Sequence, residues 1–210
     1  MKNITDYKII LWDFDGVIMD SMPIRGKGFE EVLKEFPREQ VEELLAFHEH
    51  NGGLSRYVKF KYFFEKIRGE VITDSQILEM AENFSKIMLD LLIDEKLLIQ
   101  DSVNFIQKNV KNYEMHIVSG SDGKELNLIC QSLDLARYFK TINGSPSPKN
   151  ELVRRIIQEN IYDLEDYVLI GDSINDVEAA EVNRISFIGY NNMNIRSKDR
   201  LYVDSFSSIG

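Results

Sequence analysis

Asp13 and Asp15 stand two residues apart at the end of a run of four apolar side chains, Ile9, Ile10, Leu11 and Trp12, and Gly16 follows them. Two more carboxylates, Asp172 and Asp176, lie in the stretch Gly171-Asp172-Ser173-Ile174-Asn175-Asp176. Between these segments come Ser119-Gly120-Ser121 and a lysine, Lys149, just after the turn GSPSP. Two carboxylates about 4 Å apart repel by roughly 4 kcal/mol at an effective dielectric of ~20. Bringing three or four together therefore requires protons or a cation. Oxygen ligands without His or Cys suit a hard cation, and Mg2+ is the natural choice. Ser119, Gly120 and the N–H groups entering the next helix offer an anion site, and Lys149 adds a point charge. A cation, an anion cradle and a nucleophilic carboxylate together describe phosphoryl transfer.

The elements that would have to position these residues can be read from hydrophobic periodicity. The short apolar run at 9–12 predicts a strand buried on both faces. From about residue 100 the pattern alternates between helices and strands. Helices are predicted near 101–110, 124–133, 150–160 and 175–182, and strands at 115–118, 138–142, 167–170, 185–190 and 202–206. That alternation predicts an α/β fold, a Rossmann-like parallel sheet with right-handed crossovers. In such sheets ligands bind beyond the carboxyl ends of the strands, which is where Asp13, Ser119 and Asp172 fall. From 23 to about 95 the pattern is helical instead, with apolar residues at three- and four-residue spacing over 29–36, 41–50, 56–67 and 74–93. Between the second and third of these lies NGGLSR, a turn in which Ser55 reads as an N-cap. The expected organisation is a discontinuous core, 1–19 and 97–210, interrupted by a helical domain over 20–96, with hinges near 20–23 and 94–98.

The bulk properties narrow the partners. The chain has 210 residues, 25 basic against 35 acidic, and a formal net charge of -10. Such a surface repels phosphate backbones, so no nucleic acid partner is expected. Hydrophobic content of 43% with 29% charged residues fits a globular protein. The start of the chain has no apolar leader pattern, and no stretch approaches the ~18 apolar residues of a membrane span. A single cysteine, Cys130, sits in an apolar helical pattern and reads as core. The expectation is a soluble, cytoplasmic protein with no membrane partner. Oligomeric state is not legible.

The ordered set DFDGV at 13–17, SGS at 119–121, Lys149 and GDSIND at 171–176 resembles the haloacid dehalogenase (HAD) superfamily. The helical insertion directly after the first motif is similar to the C1 cap domain of the group that includes phosphoglycolate phosphatase and β-phosphoglucomutase. The resemblance implies that Asp13 is the nucleophile, forming an aspartyl-phosphate. It implies that Asp15 protonates the leaving alkoxide and later deprotonates water. Mg2+ would be held by the Asp13 carboxylate, the Asp15 backbone carbonyl and Asp172, with Asp176 supporting the metal shell or positioning Lys149. Ser119, Gly120 and Lys149 would hold the phosphoryl oxygens. Nearby negative charge is expected to help Asp15 keep its proton. The implied function is a Mg2+-dependent phosphatase acting on a small phosphorylated metabolite, a sugar phosphate or a phosphorylated short acid. A sugar phosphomutase of the same architecture and a non-catalytic phospho-ligand binding protein stay open as alternatives.

Other readings stand beside these. A calcium loop at Asp13 and Asp15 would need further acidic ligands downstream, and GVIM supplies none. Ser119 also reads as a helix N-cap, and Asp176 as a cap or ion-pair partner. In the helical insertion, Arg56 and Lys59 share one helix face at i, i+3 and are candidates for gripping substrate or for a solvated charged face. Arg25 and Lys27 carry a fainter version of that signal. His48 and His50 point to different faces and suggest no metal site. Tyr57, Phe60 and Phe64 form a stripe that reads as packing.

Overall fold

The computed structural model describes residues 3–198 and 200–209. Its centre is a six-stranded, all-parallel sheet in the order β3-β2-β1-β4-β5-β6. The strands are β1 (Ile9–Trp12), β2 (Glu114–Asp122), β3 (Thr141–Ser145), β4 (Tyr167–Gly171), β5 (Ser186–Tyr190) and β6 (Leu201–Val203). Helices α5 (Gln100–Asn109), α6 (Gly123–Ser132), α7 (Lys149–Gln158) and α8 (Ile174–Asn183) form the crossovers.

Strand β1 is fully buried, and its side chains alternate between the two faces of the sheet. Ile9 and Leu11 pack with Leu152, Val153 and Ala180 of α7 and α8. Ile10 and Trp12 pack on the other face, where the Trp12 ring lies 6.0 Å from Phe105 and 5.3 Å from Phe206. Cys130 belongs to this second cluster, and burial pushes its thiol up to about 12. The strand order reverses at β1. The chain builds outward through β2 and β3, then returns to β4 on the opposite side. Trp12 pairs in register with Ile117 and with Ile170, so the residues that follow on three strands emerge level with one another.

Four helices, α1 (Met22–Val32), α2 (Arg38–His50), α3 (Arg56–Tyr62) and α4 (Asp74–Leu92), cover the carboxyl edge of the sheet. Phe29, Phe60 and Phe84 meet at their centre, with ring centroids of Phe29 5.3 Å from Phe60 and 4.6 Å from Phe84. After α3 the helix widens into a π turn over Phe63–Arg68. The wider turn lets the consecutive Phe63 and Phe64 both go inside, and Arg68 lies over the Phe36 ring at 4.7 Å.

Four elements differ from the sequence reading, the last strand among them, which lies at Leu201–Val203 rather than 202–206 because Phe206 opens a short 3-10 turn. The first insertion helix begins at Met22, with a proline in its first turn, and ends at Val32; the expected stretch 29–36 is helical only in its first half. Strand β2 runs on through Ser119 to Asp122, with a register shift between Val118 and Asp122. Strand β3 lies at Thr141–Ser145 rather than 138–142, because the apolar Tyr138 and Phe139 belong to a turn while the polar TINGS makes the parallel pairing. No helix of the described residues is long and apolar enough to cross a membrane.

Candidate functional site

The turn after β1 places the first two aspartates. The Asp13 N–H donates to Ile170 O at 2.9 Å, and the Phe14 N–H donates to Asp13 Oδ1 at 2.8 Å. Gly16 has φ +79, and a Cβ there would stand 2.0 Å from Asp172 Oδ2, so only glycine turns the chain and leaves room for that carboxylate. Two asparagines at the end of β5 tie the loops together: Asn191 donates to Gly16 O at 2.9 Å and Asn192 to Asp172 O at 2.7 Å. Neither stood out in the sequence, since nothing local marks a side chain that reaches across two strands.

Asp13, Asp172 and Asp176 converge, each offering an oxygen within 4.8 Å of the others. Lys149, in the first turn of α7, lies 2.8 Å from Asp13 Oδ1 and also donates to Asp176 Oδ1. The second Asp176 oxygen accepts from the Ser173 N–H at 3.0 Å and from Ser173 Oγ at 2.5 Å. Asp176 thus caps its own helix and aims the lysine in one stroke. Asp13 Oδ2 carries no hydrogen bond among the described residues.

Burial and the neighbouring Asp176 raise the Asp13 carboxyl well above its ordinary value, against the pull of Lys149. Burial and Asp176 likewise push Asp172 up to about 7. Lys149 is raised by Asp13 and Asp176 in spite of burial. The three carboxylates are therefore under-compensated by one lysine. An all-oxygen cluster with unspent negative charge fits a small hard cation, and Mg2+ matches its donor chemistry.

Asp15 faces the other way. Its carboxylate receives Arg25 Nε at 2.5 Å, Ser121 Oγ at 2.5 Å, Ser119 Oγ at 3.4 Å and the hydroxyl of Ser21. Burial would raise this carboxyl, but Arg25 with the Ser121 and Ser21 hydroxyls pulls it down to about 2. The expectation that neighbouring negative charge holds a proton on Asp15 is corrected here: its nearest charged partner is a guanidinium. Ser119 Oγ also accepts from the Ser121 N–H at 3.0 Å, while Asp122 is the residue that caps α6, taking the N–H groups of Lys124 and Glu125 at 3.0 Å each.

The insertion presses directly on this edge. A Cβ on Gly120 would stand 2.2 Å from Gly53 O, and one on Gly53 would stand 2.8 Å from Ser173 Oγ. Tyr57 donates to Asp122 Oδ2 at 2.6 Å. Beneath the loop, Arg25, Arg56 and Lys59 are all buried. Arg25 Nη1 donates to Glu125 Oε1 at 3.0 Å. Arg56 Nη2 donates to the same oxygen at 2.8 Å, and its Nη1 lies 2.7 Å from Glu125 Oε2 and 2.7 Å from Ser85 Oγ. The Arg56 guanidinium also lies 4.4 Å from the centre of the Phe84 ring. Lys59 donates to His48 Nδ1 at 2.9 Å and to Gly52 O at 3.2 Å, pairs with no carboxylate among the described residues, and is lowered by burial to about 7. Burial and Lys59 depress His48 to about 3, so its ring is a neutral acceptor. The space enclosed between Asp15, Arg25, Arg56, Lys59 and Gly120 is about 20 Å³. Clefts of 980 Å³, beside Tyr57 and Glu125, and 390 Å³, beside Gly53 and Lys149, flank it.

Sequence reasoning brought Asp13, Asp15, Ser119, Gly120, Lys149, Asp172 and Asp176 to one edge, and the fold gathers them there. Arg56 and Lys59 lie over that edge rather than on a solvated face. Arg25 carried only a faint signal in the sequence, and Ser21, Ser121, His48 and Glu125 are the residues whose part it did not foresee.

Comparison with known proteins agrees with this geometry. The phosphoglycolate phosphatase of Haemophilus influenzae (strain ATCC 51907 / DSM 11121 / KW20 / Rd) is 21% identical over 220 residues, covering 98% of this chain and 97% of that protein. Among solved structures, CbbY from Rhodobacter sphaeroides in complex with phosphate superposes with a TM-score of 0.77 at 16% identity, covering 97% of this chain and 96% of the other. The β-phosphoglucomutase (pgmB) of Clostridium difficile gives 0.75 at 16% identity, covering 97% and 93%. The family model described as haloacid dehalogenase-like hydrolase matches residues 10–190. With that match spanning most of the sheet, the covering helices and every strand-end carboxylate, the chain belongs to the haloacid dehalogenase-like hydrolase family.

Proposed function

We propose that this chain is a Mg2+-dependent phosphatase, hydrolysing the monoester of a small metabolite through an aspartyl-phosphate on Asp13, with the helices of 20–96 acting as a lid. The observation that carries the reading is the division of labour between two aspartates only two residues apart. Asp13 lies among the cation-seeking carboxylates with one oxygen fixed by Phe14 N–H and Lys149. Asp15 is turned toward the leaving-group side and held by hydroxyls and Arg25.

In the first half-reaction Asp13 Oδ2 attacks phosphorus and the bond to the ester oxygen breaks; the leaving alkoxide takes the proton of Asp15, which that carboxyl can bind only while the lid is open and Arg25 is drawn away from it. In the second, Asp15 takes a proton from water as the water oxygen attacks phosphorus and the acyl-phosphate bond breaks, releasing phosphate and free Asp13. In the closed arrangement Arg25 and the Ser121 and Ser21 hydroxyls hold Asp15 as a carboxylate, its state for the second half-reaction. Lys149, the Ser119 hydroxyl and the Gly120 N–H would receive the phosphoryl oxygens. Asp13 and Asp172, with the Asp15 carbonyl, would hold Mg2+, which would neutralise charge on the phosphoryl group. Phosphate monoesters hydrolyse so slowly unaided that this electrostatic assembly is what the reaction calls for.

The lid has to open to admit the leaving group, since as closed it leaves only about 20 Å³ between Asp15, Arg25, Arg56 and Lys59. Two groups remain to grip it: Lys59, and Arg25 Nη2, which has no hydrogen-bond partner among the described residues. They favour a short acid or hydroxylated fragment, and the relative named phosphoglycolate phosphatase is of that kind by name. The deciding experiment is p-nitrophenyl phosphate turnover with Mg2+, with and without a chelator, for wild type and Asp13→Asn. Chelator-sensitive release that disappears in Asp13→Asn is expected. Its absence in the wild type would favour a binding protein.

A further inference from the structure

Glu125 has no role in the chemistry just described, yet it is 1% exposed and meets two cationic side chains of the lid. It stands on α6, in the core, and does not travel with the lid. Arg25 of α1 and Arg56 of α3 both reach down to it, and Ser85 of α4 completes the Arg56 coordination. A buried carboxylate survives only when opposite charge replaces its water, and here two guanidinium groups supply it: both donate to Oε1, while Oε2 has the 2.7 Å ion-pair approach of Arg56 Nη1 and no hydrogen bond among the described residues. The converse matters more for function. Arg25 is spent on Asp15 and Glu125, and Arg56 on Glu125 and Ser85. In the closed site the charges of the two arginines are thus matched by two protein carboxylates, which leaves Lys59 and the free Nη2 of Arg25 to meet the leaving group.

Resting on the phosphatase reading above, we propose that Glu125 is a specificity-determining residue: by reserving Arg25 and Arg56 it keeps out leaving groups that carry a second phosphoryl group. A second phosphate entering beside Arg56 would have to displace Glu125 from its partners and then sit against a carboxylate it has stripped bare. Like charge at that distance, with water excluded, is a repulsive specificity element rather than a lost contact. The same arrangement bears on a mutase. Returning the phosphoryl group of Asp13 to a sugar monophosphate necessarily produces a sugar bisphosphate in the closed site, and Glu125 disfavours that species.

The test is competition against p-nitrophenyl phosphate hydrolysis by matched pairs, glycerol monophosphate with glycerol bisphosphate and fructose monophosphate with fructose bisphosphate. For wild type the bisphosphate of each pair should inhibit more weakly than the monophosphate, by about tenfold or more. In Glu125→Gln the ratio should close or invert, and in the double variant Glu125→Gln/Arg56→Gln the gained bisphosphate binding should disappear. A merely structural Glu125 would weaken both members of a pair together and leave the ratio alone, which overturns the proposal. Equal or tighter inhibition by the bisphosphates in wild type, or no competition by any of the four, overturns it without any variant. Should Glu125→Gln fail to fold, the wild-type ratio decides. Failure of the underlying reading is seen separately, as absence of chelator-sensitive p-nitrophenyl phosphate turnover, and removes the proposal with it.

Discussion

Arg25 of the lid donates Nε to Asp15 Oδ1 of the core at 2.5 Å, joining the residue assigned to proton transfer to the element that must move for substrate to enter. With Arg25 in place, its charge and the Ser121 and Ser21 hydroxyls pull Asp15 down to about 2 against burial, and the carboxylate can serve as a base. Arg25→Leu removes the largest influence lowering that carboxyl, and burial then raises it. In single-turnover experiments the acid limb of the dephosphorylation step should move up by more than about one pH unit. Arg25→Lys should restore part of the shift. An unmoved limb would separate Arg25 from the chemistry.

Asp15→Asn should divide the two half-reactions. The p-nitrophenolate leaving group departs without a proton, so Asp13 is still phosphorylated, whereas water attack loses its base. The expected result is a burst of about one equivalent of p-nitrophenolate followed by turnover slower by about 10²–10⁴. Asp13→Asn should give neither burst nor turnover. Stopped-flow absorbance reads both.

Metal-free stability should fall as pH rises. Asp172 lies at about 7 and Asp13 well above its ordinary value, so both bind protons more tightly folded than unfolded. Their contribution is fully present below about pH 4 and is lost as pH climbs through 7. Thermal melting of chelated protein should therefore show a lower Tm at pH 8 than at pH 5.5, and Mg2+ should recover the difference at pH 8. In Asp172→Asn both the slope and the Mg2+ effect should shrink.

Gly120 is the point on which the lid loop rests. Gly120→Ala places a methyl group 2.2 Å from Gly53 O, both of them backbone positions with little room to yield. Far-ultraviolet circular dichroism should be unchanged while kcat falls by about tenfold or more, because closure is blocked. Small-angle scattering should show a larger radius of gyration than wild type.

Lys59, 2% exposed and without a carboxylate partner among the described residues, should grip an acidic leaving group. Lys59→Met should raise KM for phosphoglycolate by about tenfold relative to p-nitrophenyl phosphate. In wild type the same KM should rise as pH passes through about 7 and Lys59 loses its proton. Equal effects on the two substrates would remove Lys59 from the leaving-group site.

The catalytic edge was legible because an apolar run and the residues after it lie next to each other in the chain: Ile9–Trp12 announces a buried strand, and Asp13 must then emerge at its end. The same logic found Ser119 and Asp172. It misplaced β3, whose Thr141, Asn143, Gly144 and Ser145 look like a turn and are made a strand by pairing with β2. It missed Glu125, which in isolation is an acidic residue in the first turn of a helix, favourable to the dipole and unremarked. Its two arginines lie 100 and 69 residues away, and no periodicity encodes that meeting.

The seam under the lid sets ion pairs and hydrogen bonds, Arg25 and Arg56 on Glu125 and Tyr57 on Asp122, beside an apolar cluster that lid and core share. Parting its apolar share exposes surface that water resists wetting, whereas parting the rest hands guanidinium and carboxylate groups to a solvent that welcomes them. Dissolved ions barely screen pairs this deeply buried, so the saltiness of the surroundings bears on the parted groups far more than on the shut ones.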